Sequence, residues 1–204
     1  MEPFAVSKLP LMESFYSLQG EGKHCGRPAY FIRLGGCDVG CVWCDVKESW
    51  DADTHPKVSV EELVDSSSAH PGRLVVITGG EPAIYDLTYL TSALQLAGFE
   101  TNIETSGAYP LTGNWNWVCL SPKKFKPPLP EVLKKADEYK VVVYHKSDLE
   151  WMQQFLKHLK PDCELFLQPE WSKADQILPM LIEYVKQNPR WRISLQTHKF
   201  LNIP

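Results

Sequence analysis

Three thiols stand together in the stretch Gly35-Gly36-Cys37-Asp38-Val39-Gly40-Cys41-Val42-Trp43-Cys44-Asp45, spaced C-x3-C-x2-C on a glycine-rich segment able to wrap closely round a bound group. An odd local set cannot pair off as disulfides without leaving a thiol. In a reducing compartment, close thiolates more often hold a metal or an iron–sulfur centre than a structural bridge. A [4Fe-4S] cubane held by only three cysteines leaves one iron without a protein ligand, and that open position can chelate a small molecule. On the residues alone, a zinc site completed by a distant His or by Cys163, or a set of redox-active thiols, stays open. The chain has six cysteines, and the other three, Cys25, Cys119 and Cys163, are scattered. They are expected to pack as inert buried thiols.

Other chemistry-bearing residues recur just after short apolar runs. Thr78-Gly79-Gly80-Glu81-Pro82 follows Leu74 to Ile77; Glu104 closes Asn102-Ile103-Glu104-Thr105; Ser121-Pro122-Lys123 follows Trp117 to Leu120; and Gln168-Pro169 follows Leu165. If those runs are parallel strands, the groups collect where α/β folds place ligands, at the carboxyl ends of the strands.

The elements that must position them alternate. Tyr30 to Leu34, Leu74 to Ile77, Trp117 to Leu120, Lys140 to Tyr144, Leu165 to Gln168 and Ile193 to Gln196 read as short buried strands, with Glu100 to Glu104 a weaker one. Between them, Ser59 with Glu62 forms a capping box, and Leu87, Leu90 and Leu94 share a helix face before Gly98. Ser147 with Glu150 is expected to cap a helix carrying Met152, Leu156 and Leu159, and Ile177, Leu181, Tyr184 and Val185 mark a last helix. Such connections imply parallel pairing with right-handed crossovers. The expected fold class is α/β, an open partial barrel of about six or seven mostly parallel strands, since 204 residues are short for eight complete units.

That length, with 44% apolar residues, suits a single domain over 1–204. A formal charge of −4 argues against broad capture of nucleic acid. Met1, Glu2, Pro3 and Phe4 lack a basic region leading into an apolar one, and no stretch approaches the roughly 20 apolar residues of a membrane span. A soluble cytoplasmic protein, with neither nucleic acid nor membrane as partner, is the expectation.

The cysteine spacing, with an aromatic residue before the last thiol, resembles the motif of the radical S-adenosylmethionine enzymes. The Gly79-Gly80-Glu81-Pro82 turn resembles their GGEP motif in the expected order. The resemblance implies that Cys37, Cys41 and Cys44 hold the [4Fe-4S] cluster and that S-adenosylmethionine binds its open iron. An electron from the cluster then cleaves the cofactor to methionine and a 5′-deoxyadenosyl radical. It also assigns Trp43, Gly79, Gly80, Glu104, Ser121, Pro122, Lys123 and Gln168 to cofactor binding.

Two further segments narrow the resemblance. Phe15-Tyr16-Ser17-Leu18-Gln19-Gly20-Glu21-Gly22, followed by Gly26-Arg27-Pro28-Ala29 and Arg33, is similar to the opening of the 7-carboxy-7-deazaguanine synthase family. The segment Gln196-Thr197-His198-Lys199-Phe200-Leu201-Asn202-Ile203-Pro204 is similar to that family's closing motif. The resemblance spans essentially the whole chain. It implies a carbon–nitrogen lyase of 7-deazapurine (queuosine) biosynthesis that converts 6-carboxy-5,6,7,8-tetrahydropterin to 7-carboxy-7-deazaguanine and ammonia. The route implied is hydrogen abstraction at substrate C6, ring contraction and return of the hydrogen, with S-adenosylmethionine regenerated. Substrate contacts are then expected over 13–28 and 196–204: Leu18, Gln19 and Gly20 through their backbone, Arg33 as a carboxylate clamp, and Thr78, His198 and the Pro204 carboxylate. Phe200, Leu201 and Ile203 are expected to pack the tail down. A homodimer and an electron donor such as flavodoxin or ferredoxin are implied as partners.

One position departs from the pattern. The family often continues the last cysteine as Cys-Asp-Thr, the threonine helping to hold Mg2+, whereas this chain reads Cys44-Asp45-Val46. Valine has no oxygen for a hard cation. Substrate and water complete the shell, Mg2+ dependence is weak, or Asp45 substitutes. A glycyl-radical-enzyme activase shares the cysteine spacing but leaves both end motifs unexplained. A ferredoxin-like carrier, the non-enzyme alternative, needs four protein ligands per cluster.

Overall fold

The computed structural model describes residues 8–204; Met1 to Phe4, noted above, lie outside the described residues. Among the described residues, nine strands form one sheet in the order β3-β1-β2-β4-β5-β6-β7-β8-β9. They are β1 (Lys8–Leu18), β2 (Pro28–Leu34), β3 (Lys57–Ser59), β4 (Leu74–Gly79), β5 (Glu100–Thr105), β6 (Trp117–Leu120), β7 (Glu138–Val143), β8 (Glu164–Pro169) and β9 (Trp191–Ile193). From β2 to β9 every neighbouring pair is parallel, while β1 runs antiparallel to both β2 and β3. The sheet curls without closing, so the fold is α/β with a partial barrel, as expected.

Two strands exceed the sequence reading. In β1, Pro10 near the start and a register shift between Leu11 and Glu13 break the alternation that would have marked a strand. β3 is three residues long and shows no period at all. The last strand lies earlier than expected: it ends at Ile193, so Ser194, Leu195 and Gln196 are loop.

The parallel strands are buried on both faces, which is why they read as near-continuous apolar runs. Tyr30, Ile32 and Leu34 of β2 and Val75 and Ile77 of β4 point outward to a core shared with α1 (Val60–Ser68) and α2 (Thr88–Leu96) through Leu63, Leu90 and Leu94. Ser59 and Glu62 close the predicted capping box on α1. α3 (Pro130–Leu133), α4 (Ser147–Gln153) and α5 (Ala174–Gln187) cover the outer face of the other half through Val132, Met152 and Leu181 against Val141 and Leu167. Ser147 does not cap α4 but is its first residue, and the Asp148 carboxylate accepts the backbone N–H groups of Tyr144 (2.8 Å) and His145 (2.7 Å), which precede the helix. Leu156 lies beyond α4 in a 3-10 turn. The chain ends in α6 (Thr197–Leu201), whose C-cap Asn202 takes a left-handed conformation. No helix among the described residues is long and apolar enough to cross a membrane.

The inner faces differ from the outer. Ala29, Phe31, Leu74 and Val76 make the lumen apolar on the β2–β4 side. Across it, the pairing register sets Cys119 beside Glu104 and Glu138 beside Cys119, and buries Lys140 further along β7. The unclosed side of the barrel is crossed by loops: Thr197 N–H donates to Gly20 O (3.0 Å) and Gly22 N–H to Ser194 Oγ (3.0 Å).

Candidate active site

At the carboxyl end of the barrel lies a cavity of about 300 Å³. Cys37, Cys41 and Cys44 line one wall, within an apolar group containing Val39 and Ala108. Their loop is anchored by backbone bonds, Gly36 N–H to Ser49 O (2.6 Å) and Cys37 N–H to Trp50 O (3.0 Å). Burial pushes the Cys41 thiol up to about 11, against the opposing pull of the Lys123 ammonium, and raises Cys37 as well. Among the described residues, no set of three His, Cys, Asp or Glu side chains closes on a single-ion point. Three soft sulfur donors on one wrapped loop, facing one cavity, suit a cubane, in which each thiolate takes a different iron. Of the scattered cysteines, Cys119 and Cys163 are buried as expected, but Cys25 is exposed, because its turn lies on the outside of the loop after β1.

The Gly79-Gly80 turn sits directly behind the cysteine loop. Gly80 N–H donates to Leu34 O (3.0 Å) and Glu81 N–H to Gly36 O (2.9 Å). A Cβ at Gly79, whose φ is +145°, would collide with the Leu34 backbone, and one at Gly80 with Gly36 O and the Cys37 side chain. The glycines thus admit close backbone approach quite apart from any ligand. An amine ligand donates, so it needs the carbonyls of this turn.

Glu81, which sequence reasoning left without a role, is buried behind the turn. Its Oε1 accepts from Thr105 Oγ1 (2.6 Å) and Ala83 N–H (3.1 Å), and its Oε2 from Ser106 N–H (2.8 Å) and the Ser106 hydroxyl. All four partners are donors, as an acceptor-only carboxylate requires. Glu81 ties the glycine turn to the end of β5, where Glu104 faces the cavity.

Glu104 does not stand as a solvated charge. Its Oε2 pairs with Lys140 Nζ (2.9 Å) and its Oε1 accepts from the Gln19 amide (3.3 Å). The same Lys140 ammonium pairs with Glu21 Oε2 (2.6 Å). Burial disfavours charge at Glu21, yet the Lys140 charge and hydrogen bond and the Gln196 amide outweigh it and hold the carboxyl at about 2. Burial also opposes the Lys140 ammonium, but Cys119, Glu104, Glu21 and Glu138 surround it and raise its pKa well above the lysine range. Glu138 is raised chiefly by burial, against the opposing pull of the Lys140 charge. Lys140 was also missed, and Glu21 and Gln196, though inside the two end segments, were given no individual role; for Lys140 the available signal was Glu138-Tyr139-Lys140-Val141, charged residues alternating with core residues on one strand.

Both end segments reach this cavity. Leu18, Gln19, Gly20, Arg33, Thr78, His198 and Pro204 all line it. Arg33 is engaged through Nε by Glu13 (2.6 Å), its cross-strand partner. His198 packs against Gly20, where a Cβ would collide with its ring, and burial lowers its pKa. Thr197 donates to Gly20 O through both N–H and Oγ1, and Ser17 Oγ donates to Pro204 O (3.1 Å). Apolar packing holds the tail only in part: Phe200 is 68% and Leu201 58% exposed, although Phe200 meets the Trp171 ring edge-on and Ile203 is half-buried. Polar bonds and the fold of α6 supply the rest.

Trp43, Gly79, Gly80, Glu104, Ser121, Lys123 and Gln168 line the same cavity, whereas Pro122 lies in an adjoining hollow with Val42 and Phe125. Lys123 donates to Ser121 O and Oγ (both 2.6 Å) and lies over the Trp43 ring. Gln168 accepts from Ser194 Oγ (2.8 Å). Asp45 and Val46 also face the cavity, and Asp45 is paired with Lys199 (3.2 Å).

The Radical SAM superfamily profile matches residues 31–146. Proteins named 7-carboxy-7-deazaguanine synthase are 52% identical in Flavobacterium psychrophilum, over 96% of this chain and 93% of that one, and 38% identical in Escherichia coli K12, over 95% and 98%. The chain belongs to the 7-carboxy-7-deazaguanine synthase family of radical SAM enzymes. A crystal structure of QueE from Escherichia coli, 36% identical, superposes with a TM-score of 0.83, covering 92% of this chain and 93% of that one. Membership implies a [4Fe-4S] cluster and S-adenosylmethionine, and the three thiols described above fit the former.

Proposed function

We propose that the chain, as one catalytic domain over 1–204, is a lyase converting 6-carboxy-5,6,7,8-tetrahydropterin to 7-carboxy-7-deazaguanine and ammonia in 7-deazapurine biosynthesis. The observation that carries this reading is the clamp of Thr197 onto Gly20, which brings both end motifs to the cavity lined by the cysteine loop. A cluster-binding protein without a substrate would have no use for that convergence.

Cys37, Cys41 and Cys44 hold the cluster; Trp43, Gly79, Gly80, Glu104, Ser121, Pro122, Lys123 and Gln168 hold S-adenosylmethionine. When bound, these groups supply the electron and the radical chemistry. The protein supplies position and exclusion of water. With Nε committed to Glu13, the terminal nitrogens of Arg33 form the edge that takes the substrate carboxylate. Backbone groups of Leu18, Gln19 and Gly20 read the ring edge together with Thr78 and His198, and the Pro204 carboxylate accepts from ring N–H groups. Burial lowers the His198 pKa and so favours the neutral ring, which can both donate and accept there. Phe15 and Phe31, stacked with centroids 5.1 Å apart, line the apolar wall suited to a flat ring.

Val46 offers Mg2+ no oxygen and Asp45 is engaged by Lys199, so Mg2+ dependence is weak. The enzyme works in the cytoplasm as a homodimer and receives electrons from a flavodoxin- or ferredoxin-type donor. Anaerobic incubation of reconstituted protein with the carboxypterin, S-adenosylmethionine and a reductant should yield the deazapurine chromophore. No deazapurine from protein with a full cluster refutes the assignment.

A further inference from the structure

Lys140 joins two subsites that, among the described residues, are linked besides only through the Gln19 side chain. Its ammonium binds Glu104, assigned above to the cofactor, and Glu21, which follows the backbone assigned to the pterin. The bonds close into a ring. Glu104 Oε1 accepts from Gln19 Nε2 (3.3 Å), Gln19 Oε1 accepts from Glu21 N–H (3.1 Å), and Glu21 returns to Lys140. Gln196 Nε2 donates to the remaining Glu21 oxygen (3.0 Å), tying in the tail that carries His198. The lysine side chain is 2% exposed, so its two pairings are little screened by solvent.

We propose that Lys140 is a positioning residue that makes S-adenosylmethionine and the pterin bind cooperatively. The proposal rests on the functional reading above and extends it to how the two ligands sense each other. A hydroxyl donating to Glu104 joins the Gln19 amide and the Lys140 ammonium on a carboxylate with about four acceptor sites, and fixing Glu104 there fixes Gln19, whose carbonyl holds the Glu21 N–H. Engagement of Glu104 is therefore felt by the loop backbone through both Gln19 and Lys140. Whichever ligand orders the ring first removes part of the ordering cost of the other, which is positive coupling. A merely structural ion pair would hold the fold without linking the affinities.

Binding is measured anaerobically by calorimetry on cluster-reconstituted protein, with reductant omitted so that no turnover occurs. In the wild type, saturating carboxypterin should tighten S-adenosylmethionine by roughly fivefold or more, and saturating S-adenosylmethionine should tighten the pterin by the same factor. Lys140→Met should bring both factors towards one. Because that variant leaves buried carboxylates unpaired, the charge-balanced Lys140→Met/Glu21→Gln is measured beside it, with the cluster absorbance as the check on folding. Coupling retained in either folded variant overturns the proposal. So does a wild type that binds both ligands with no mutual effect, which leaves the functional reading standing. A wild type that binds no carboxypterin overturns both.

Discussion

Replacing Glu81 by glutamine exchanges one acceptor oxygen for an NH2 group inside a pocket of donors. The hydroxyls of Thr105 and Ser106 can turn and accept, but the N–H groups of Ala83 and Ser106 cannot. Because Oε1 takes the Ala83 N–H and Oε2 the Ser106 N–H, either amide orientation sets a donor against a backbone donor. A stranded buried donor costs about 1–3 kcal/mol, and the surviving bonds lose their charge assistance, so the total comes to roughly 3 kcal/mol. For a domain of this size that corresponds to a fall in Tm of about 6–12 °C. Thermal unfolding followed by circular dichroism, on wild type and Glu81→Gln at matched cluster content, measures it. Affinity for S-adenosylmethionine should fall too, because Glu81 holds the Gly79-Gly80 turn against the cysteine loop. A Tm within about 2 °C of wild type would show that the Glu81 bonds are not what fixes the turn.

Cys41→Ala should abolish both iron–sulfur absorbance and turnover, while Cys163→Ala, a buried thiol behind β8, should leave both intact; turnover by reconstituted Cys41→Ala would remove the cluster assignment. If Val46 deprives Mg2+ of a ligand, the wild type should respond less to added Mg2+ than Val46→Thr, and equal titration curves would show that position 46 does not tune the metal. Glu21 is held at about 2 against its ordinary 4.5, so its carboxylate stabilises the fold fully above pH 4.5 and progressively less as the pH falls towards 2. Urea unfolding across that window should therefore lose stability more steeply in wild type than in Glu21→Gln, and parallel slopes would contradict the depressed pKa.

The parallel strands and their covering helices were legible because burial on both faces writes itself as short apolar runs, and α2 and α5 carry their core residues at helical spacing. β1 was not legible, since its antiparallel pairing survives Pro10 and a bulge that disrupt its pattern. The cap of α4 was misread for a related reason: Ser147 has the right chemistry at the right spacing, but the helix begins one residue earlier, after Lys146, and the Asp148 carboxylate turns back to the N–H groups of Tyr144 and His145 ahead of it. In the tail, apolar residues suggested packing, yet hydrogen bonds to Gly20 and Ser17 share the hold and leave Phe200 and Leu201 exposed.

What the sequence determined by itself was the chemistry, because the groups that carry it are local: three thiols within eight residues, a glycine turn after a strand, and two motifs at the ends. Alternation along β7 also required Glu138 and Lys140 to face away from Tyr139 and Val141. It could not say what lay opposite. Lys140 meets Glu21 and Glu104 from 119 and 36 residues away, and those pairings exist only because an incompletely closed sheet folds its polar inner face around one lumen. The tertiary structure alone decided that a buried lysine would stand between Glu104 and the loop after β1, since a charge can be buried there only where the curl of the sheet brings its counter-charges within reach.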